Sequence, residues 1–204
     1  MKQNNKKIKR KIGVDLDEVL FNLKFSYFTD HNFQYGTKIN PSFIGSYDFS
    51  KIVQESPSTT IEKILTFYQT TSFLHSPIVM GSQTVLRILS PDSEFFAITS
   101  RPESIRDITQ RQLHYHYSFL FSEVFFTNEL SHFNNNTKKS KADICKDKNI
   151  DIMIEDNLEI AQVCAMQGVR VYLLDAPWNK GSINSNIHRV SSWYDLLENI
   201  RGER

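Results

Sequence analysis

Short apolar runs and helix-spaced apolar positions alternate along most of this 204-residue chain. The runs are Ile12–Val14, Glu94–Thr99, Glu123–Thr127, Ile150–Ile154 and Val169–Leu174. Each is brief, rich in β-branched or aromatic residues and bounded by polar positions, as strands buried on both faces are. Ser104–Tyr117, Ser140–Lys148 and Asn157–Gln167 carry helical spacing, the last stopped by Gly168, and a closing helix is expected over Trp193–Ile200. This alternation predicts an α/β fold, a parallel sheet with helices on both faces. A long interruption, residues 20–92, breaks the rhythm. Phe21–Asp30, Thr59–Thr71 and Ser82–Leu89 read as helices within it, with a helix-start box of Ser58 or Thr59 and Glu62 behind Pro57. Gly36, Pro41 and Gly45 mark turns between them.

Several predicted strands end in polar residues: Asp15, Thr99, Glu155–Asp156 and Asp175. In open α/β sheets ligands bind beyond the carboxyl ends of the strands, so these positions are expected to converge. At the first of them, Asp15 and Asp17 follow the apolar Ile12–Val14 one residue apart. In extended backbone they share a face, and two crowded acids repel unless a cation lies between them or one keeps its proton. Such a pair can supply a metal ligand and nucleophile from one carboxylate and a proton donor from the other.

Composition narrows the class. A hydrophobic content of 40%, a charged content of 23% and a net charge of +1 describe a globular domain without the positive field of a general nucleic-acid binder. Cys145 and Cys164 fit neither a disulfide framework nor a cysteine zinc site, and read as buried thiols in a reducing, cytoplasmic setting. The basic start through Lys11 lacks the apolar stretch of a secretory signal, no membrane span is expected, and a solvated lead into the first strand is the reading taken. His75, His114 and His116 have no ligand-like spacing and read as packing or surface residues.

Asp15-Leu16-Asp17, Ile98-Thr99-Ser100-Arg101, Lys141 and Ile154-Glu155-Asp156-Asn157 stand in that order at predicted strand ends or helix starts. Together they resemble the signature of the haloacid dehalogenase (HAD) superfamily of phosphohydrolases over residues 12–156. The strings TSRPE, KSKADICK, IDIMIEDN and DAPWN, with the late Arg189–Trp193, are similar to the branch holding cytosolic-type 5′(3′)-deoxyribonucleotidases and their bacterial relatives. The resemblance implies a three-layer, Rossmann-like sandwich: a core of residues 1–20 and 81–204, with a helical cap of residues 21–80. It implies Asp15 as nucleophile forming an aspartyl-phosphate, and Asp17 as general acid and then base. Mg2+ would lie on Asp15, the backbone carbonyl of Asp17, and Asp156, with Glu155 behind the ligands. Thr99, the Ser100 amide and Lys141 would hold the phosphate, with Lys139 the rival lysine. That branch usually carries Gly where this chain has Glu18.

The implied activity is that of a Mg2+-dependent phosphomonoesterase, foremost on nucleoside 5′-monophosphates. A sugar phosphate or other small metabolite is the alternative substrate, and a catalytically silent binding protein the alternative class. No nucleic-acid or membrane partner is expected. Aromatics crowd residues 20–80, most of them needed for a small subdomain's own core. Phe25 and Phe28, close in sequence to Asp17, are candidate pocket residues. Arg101 is either a substrate contact or a surface ion pair, and Trp178 either lies on the rim or packs inward.

Overall fold

The computed structural model describes residues 9–118, 120–127 and 139–202. The leader through Ile8 and the Asn134–Asn136 run, read as a loop, lie outside them. Six strands, β1 (Arg10–Val14), β2 (Ser93–Thr99), β3 (Phe121–Phe126), β4 (Ile152–Glu155), β5 (Arg170–Leu174) and β6 (Ile187–Val190), form one sheet in the order β3-β2-β1-β4-β5-β6. Every pairing between them is parallel. The α/β architecture follows the sequence pattern, with one addition. β6 was not expected: four residues beside an Asn- and Ser-rich segment carry too little alternation to announce a strand.

Strand alternation sorts the core into two layers. Ile12, Val14, Phe95, Ala97, Ile152 and Ile154 pack with residues of α5 (Ser82–Leu89), α6 (Arg106–Tyr117) and α9 (Trp193–Gly202). Phe96, Ile98, Met153, Val171 and Leu173 pack with α7 (Lys141–Lys148) and α8 (Leu158–Met166). Gly13 also faces this second layer. A Cβ there would lie 2.9 Å from both Ile98 Cδ1 and Met153 Sδ, so the central strand takes glycine where the layers close up. Cys145 and Cys164 are buried free thiols of the same layer.

Chain order reverses between β1 and β4, which pair side by side although two strands, β2 and β3, and most of the helices lie between them in sequence. Such a switch point leaves a crevice beyond the strand ends. Asp15 and Glu155–Asp156 leave the sheet there, and the Asp15 amide still donates to the Ile154 carbonyl at 3.0 Å.

The interruption folds as α1 (Leu23–Tyr35), α2 (Phe49–Val53), α3 (Pro57–Phe67) and α4 (Thr71–Leu74). α1 continues past Asp30 to Gly36, which closes it at φ 67°. α3 starts earlier than the expected box: Ser56, two residues before Ser58, is its cap, accepting from the Thr59 amide at 3.2 Å, and Pro57 takes the first helical position. Leu23, Tyr27, Phe28, Phe67, Tyr68 and Phe73 give these helices a cluster of their own, joined by Ile105 from the sheet side. The two connections to the sheet run alongside each other. Asn22 donates its amide to Pro77 at 2.8 Å, and Val79 donates to Leu20 at 2.9 Å.

Candidate active site

Residue alternation carries Asp15 onto the face of Gly13, and Glu155 onto the face of Met153, above which α7 begins. α7 is capped by Ser140, whose hydroxyl accepts from the Asp143 amide while the Ser140 amide donates to the Asp143 carboxylate. Lys141 is therefore fixed at the first helical position. Its buried ammonium lies 2.7 Å from Asp15 Oδ1 and 2.9 Å from Glu155 Oε2. Burial opposes that charge, but Asp15 and Glu155 outweigh it and hold the lysine pKa above its ordinary value. Lys139 points elsewhere, to Asp147 on the surface. Asp15 is crowded: burial first, then Glu155, push its pKa up to about 8 in spite of Lys141. Glu155 is raised chiefly by burial, and its Oε1 accepts from the Asn157 amide at 3.1 Å.

Asp156 is gripped from several sides. The Tyr47 hydroxyl lies 2.5 Å from its carbonyl oxygen and 2.9 Å from Oδ2, and Trp178 Nε1 donates to Oδ2 at 2.9 Å. Asn179 Nδ2 donates to the Asp156 carbonyl at 2.8 Å and is itself fixed by Arg189, whose Nη1 donates to Asn179 Oδ1 at 2.6 Å. Burial and then Asp15 push the Asp156 pKa up to about 7. Trp178 thus turns inward. Tyr47 comes from the interruption, 109 residues away, and no local signal in the sequence marks it.

Asp17 faces a different partner. The Arg101 side chain is fully buried and forks onto Asp17, Nη2 lying 2.6 Å from Oδ1 and Nε 3.0 Å from Oδ2. Thr99, buried at the end of β2, accepts from the Arg101 amide at 3.2 Å, and Ser100 occupies the turn between them. Arg101 is neither a surface pair nor, here, an open contact.

Phe28 is wholly buried in the insertion's own cluster, against Phe49 at 4.9 Å between ring centres, and offers no free face for a ligand. Phe25, at 45% exposed, looks outward from α1. The nearer side chain on that helix is Lys24, 4% exposed, which sequence reading passed over. Its ammonium lies 3.1 Å from the centre of the Trp178 ring and 4.2 Å from that of Tyr47. Burial, against the pull of Glu18, Asp156 and Asp17, lowers its pKa to about 8. Glu18 stands at φ 63°, in the left-handed region that glycine occupies without strain. Its Oε1 accepts from the Lys24 amide at 2.6 Å, which places a carboxylate at the start of α1. His116 packs edge-on against Phe21, and His75 against Tyr115, in line with a packing role.

Residues 9–203 match the family described as 5′ nucleotidase, deoxy (Pyrimidine), cytosolic type C protein. The chain belongs to this family. A nucleotidase of Clostridium acetobutylicum, CA_C3379, is 26% identical over 168 residues, covering 81% of this chain and 80% of its own. YqfW of Bacillus subtilis, named as a candidate nucleotidase, is 22% identical over 197 residues, 92% of each chain. Among solved structures, the HAD-hydrolase YfnB of Bacillus subtilis, bound to magnesium, shares the fold with a TM-score of 0.62 at 11% identity, covering 94% of this chain and 98% of its own. The chain is thus a HAD-type phosphohydrolase, an enzyme of the nucleotidase and phosphatase group. Among the described residues no helix is long and apolar enough to cross a membrane.

The donor set fits a hard divalent cation. Asp15, Glu155 and Asp156 each offer a carboxylate oxygen, all within 4.8 Å of one another and all buried. With Asp17 and Glu18 the neighbourhood counts five carboxylates against three cations, Lys24, Arg101 and Lys141, an excess of two negative charges when all are ionised. Burial first, and then the neighbouring carboxylates of that excess, raise the pKa values of Asp15 and Asp156. Their sign is destabilising: between about pH 4 and 8 the folded protein holds protons that the unfolded chain has released, so these two groups lower stability as pH rises through that window. A divalent cation removes the penalty and expels the protons. In EDTA the melting temperature is therefore expected to fall between pH 6 and 8.5, and the gap to the metal-loaded protein to widen; a gap independent of pH, read by thermal unfolding, contradicts this.

Proposed function

We propose that the protein is a magnesium-dependent phosphomonoesterase acting on nucleoside 5′-monophosphates through an aspartyl-phosphate on Asp15. One observation carries the reading: a buried carboxylate at the switch point, Asp15, pinned at 2.7 Å by a buried lysine and shared with two further acids. Family membership and the nucleotidase names of the relatives support the substrate class.

In this reading Asp15 Oδ1 or Oδ2 attacks phosphorus as the bond to the leaving oxygen breaks, and Asp17 gives that oxygen a proton. Asp17 then takes a proton from water as the water oxygen attacks phosphorus, releasing phosphate and restoring Asp15. Lys141 offsets the charge that builds on Asp15 and the transferring group. Thr99 and the Ser100 amide hold phosphoryl oxygens. Asp15, Asp156 and the Asp17 carbonyl would hold magnesium, which when bound would supply Lewis-acid charge neutralisation toward the phosphate. Glu155 fixes Lys141 and the turn into α8 through the Asn157 amide. Residues 21–80 serve as a cap: Tyr47 and Lys24 meet Asp156 and Trp178 where the interruption meets the sheet, and this contact keeps water from the acyl-phosphate.

The test is phosphate release from nucleoside 5′- and 3′-monophosphates and sugar phosphates, with magnesium and with EDTA. Magnesium-dependent release ranking 5′-nucleotides first is expected. A higher kcat/KM on a sugar phosphate transfers the assignment to that class.

A further inference from the structure

We propose that Arg101 is a positioning residue for the acid–base group, and that Gln112 ties it to the docked helical insertion. This rests on Asp17 serving as acid and base in the reaction above. Asp17 lies in the turn after β1 with its side chain 24% exposed, and Arg101 holds its carboxylate. An acid–base group acts only within hydrogen-bond reach of the ester oxygen, and a misplacement of about 1 Å costs roughly 10²-fold in rate. Direction must therefore come from a partner.

Arg101 has the form of such a partner because its own position is over-determined. Its amide donates to Thr99 Oγ1 at 3.2 Å, and the guanidinium packs 4.6 Å from the Phe73 ring centre and 5.5 Å from that of Phe21. Nη1, on the side away from Asp17, donates to Gln112 Oε1 at 2.9 Å and to Thr109 Oγ1 at 3.3 Å. Gln112 completes the line: its Nε2 donates to the Phe73 carbonyl at 2.6 Å. Phe73 belongs to α4, so the guanidinium is braced by the insertion on one side and by α6 on the other.

The fork also distinguishes the two carboxylate oxygens. Oδ1 receives Nη2 at 2.6 Å and Nε at 3.2 Å, whereas Oδ2 receives only the shared Nε at 3.0 Å. Oδ2 is the oxygen that carries the proton to the leaving group. A lysine at position 101 would supply charge without the planar fork, leaving the carboxylate free to turn.

Leaving-group acidity reads this role. An alkyl ester such as a nucleoside 5′-monophosphate needs its departing oxygen protonated, while p-nitrophenyl phosphate leaves as a stable phenolate. For Arg101→Lys, kcat/KM, which reads only the steps up to departure of the leaving group and not the water attack common to both esters, is expected to fall about 10²-fold on the alkyl ester against only a few-fold on the aryl ester. Gln112→Met, which unties the brace but leaves the arginine, is expected to show the same selectivity at smaller amplitude, and carries the test should Arg101→Lys fail to fold. Equal losses on both esters, or no loss on either, overturn the proposal. Asp17→Asn is the reference. If it discriminates between the esters and the Arg101 and Gln112 variants do not, only the positioning role falls. If it does not discriminate, the assignment of Asp17 as acid falls and the proposal with it.

Discussion

Asp15→Asn, loaded with magnesium, is expected to hydrolyse phosphomonoesters at least ~10⁴-fold more slowly than wild type, yet to melt at a higher temperature than wild type in EDTA above pH 8. The two results have one cause. The carboxylate is held by Lys141 at 2.7 Å but stands in a buried cluster with Glu155 and Asp156, and its pKa is pushed up to about 8. An amide of the same shape removes a nucleophile and, with it, a charge that the folded state accommodates badly. Below about pH 6 wild-type Asp15 is protonated, the repulsion is absent, and the melting temperatures of the two proteins are expected to converge. An Asp15→Asn protein that is less stable than wild type at pH 8.5, measured by thermal unfolding in EDTA, contradicts the electrostatic account whatever its activity.

Lys141→Met is expected to have the opposite effect on stability with a comparable direction of effect on rate. The ammonium is the shared partner of Asp15 and Glu155, and its removal leaves two buried carboxylates facing each other. Breaking a buried ionic group from one side costs roughly 3–5 kcal/mol. Here the cost depends on pH. Asp15 and Glu155, already raised, rise further without the lysine, so the folded variant binds protons that the unfolded chain has lost, and the penalty grows from pH 6 to pH 8. On the rate, losing the group that offsets developing charge is expected to lower kcat by about 10²–10³-fold. Lys139→Met serves as the control, since that side chain pairs with Asp147 on the surface and is expected to leave both stability and rate unchanged. Urea unfolding at pH 6 and pH 8 with steady-state kinetics checks each part. A penalty independent of pH, or a larger rate loss in Lys139→Met, sinks the assignment.

What was legible in the sequence was what strand periodicity and strand ends encode. Five of the six strands announce themselves as apolar runs; Asp15, Glu155 and Asp156, which close β1 and β4, meet at the switch point, whereas Asp175, closing β5, pairs with Lys180 and Arg189 at the surface instead of converging with them. The helix expected over Ser140–Lys148 puts Lys141 at its start, and the structure turns that lysine, not Lys139, onto Asp15. The contacts that cross from the interruption to the sheet were not legible. Tyr47 reaches Asp156 across 109 positions, and Lys24 reads locally as an ordinary polar residue on α1. Aromatic content misled in one respect: proximity in sequence to Asp17 singled out Phe28, but the small helical unit uses that ring for its own core. Glu18 was visible as a departure from the glycine that the family resemblance implies there, and its φ of 63° lies in the region that glycine occupies without strain.

The central claim, a covalent phosphoryl transfer to Asp15, is tested most directly by acid-quenching the magnesium-loaded wild type during turnover of a ³²P-labelled nucleoside 5′-monophosphate. The account predicts acid-stable, hydroxylamine-labile label on the peptide containing Asp15, and none in Asp15→Asn. Sustained turnover with no label on the protein, together with inversion of configuration at phosphorus, would show direct attack by water and contradict it.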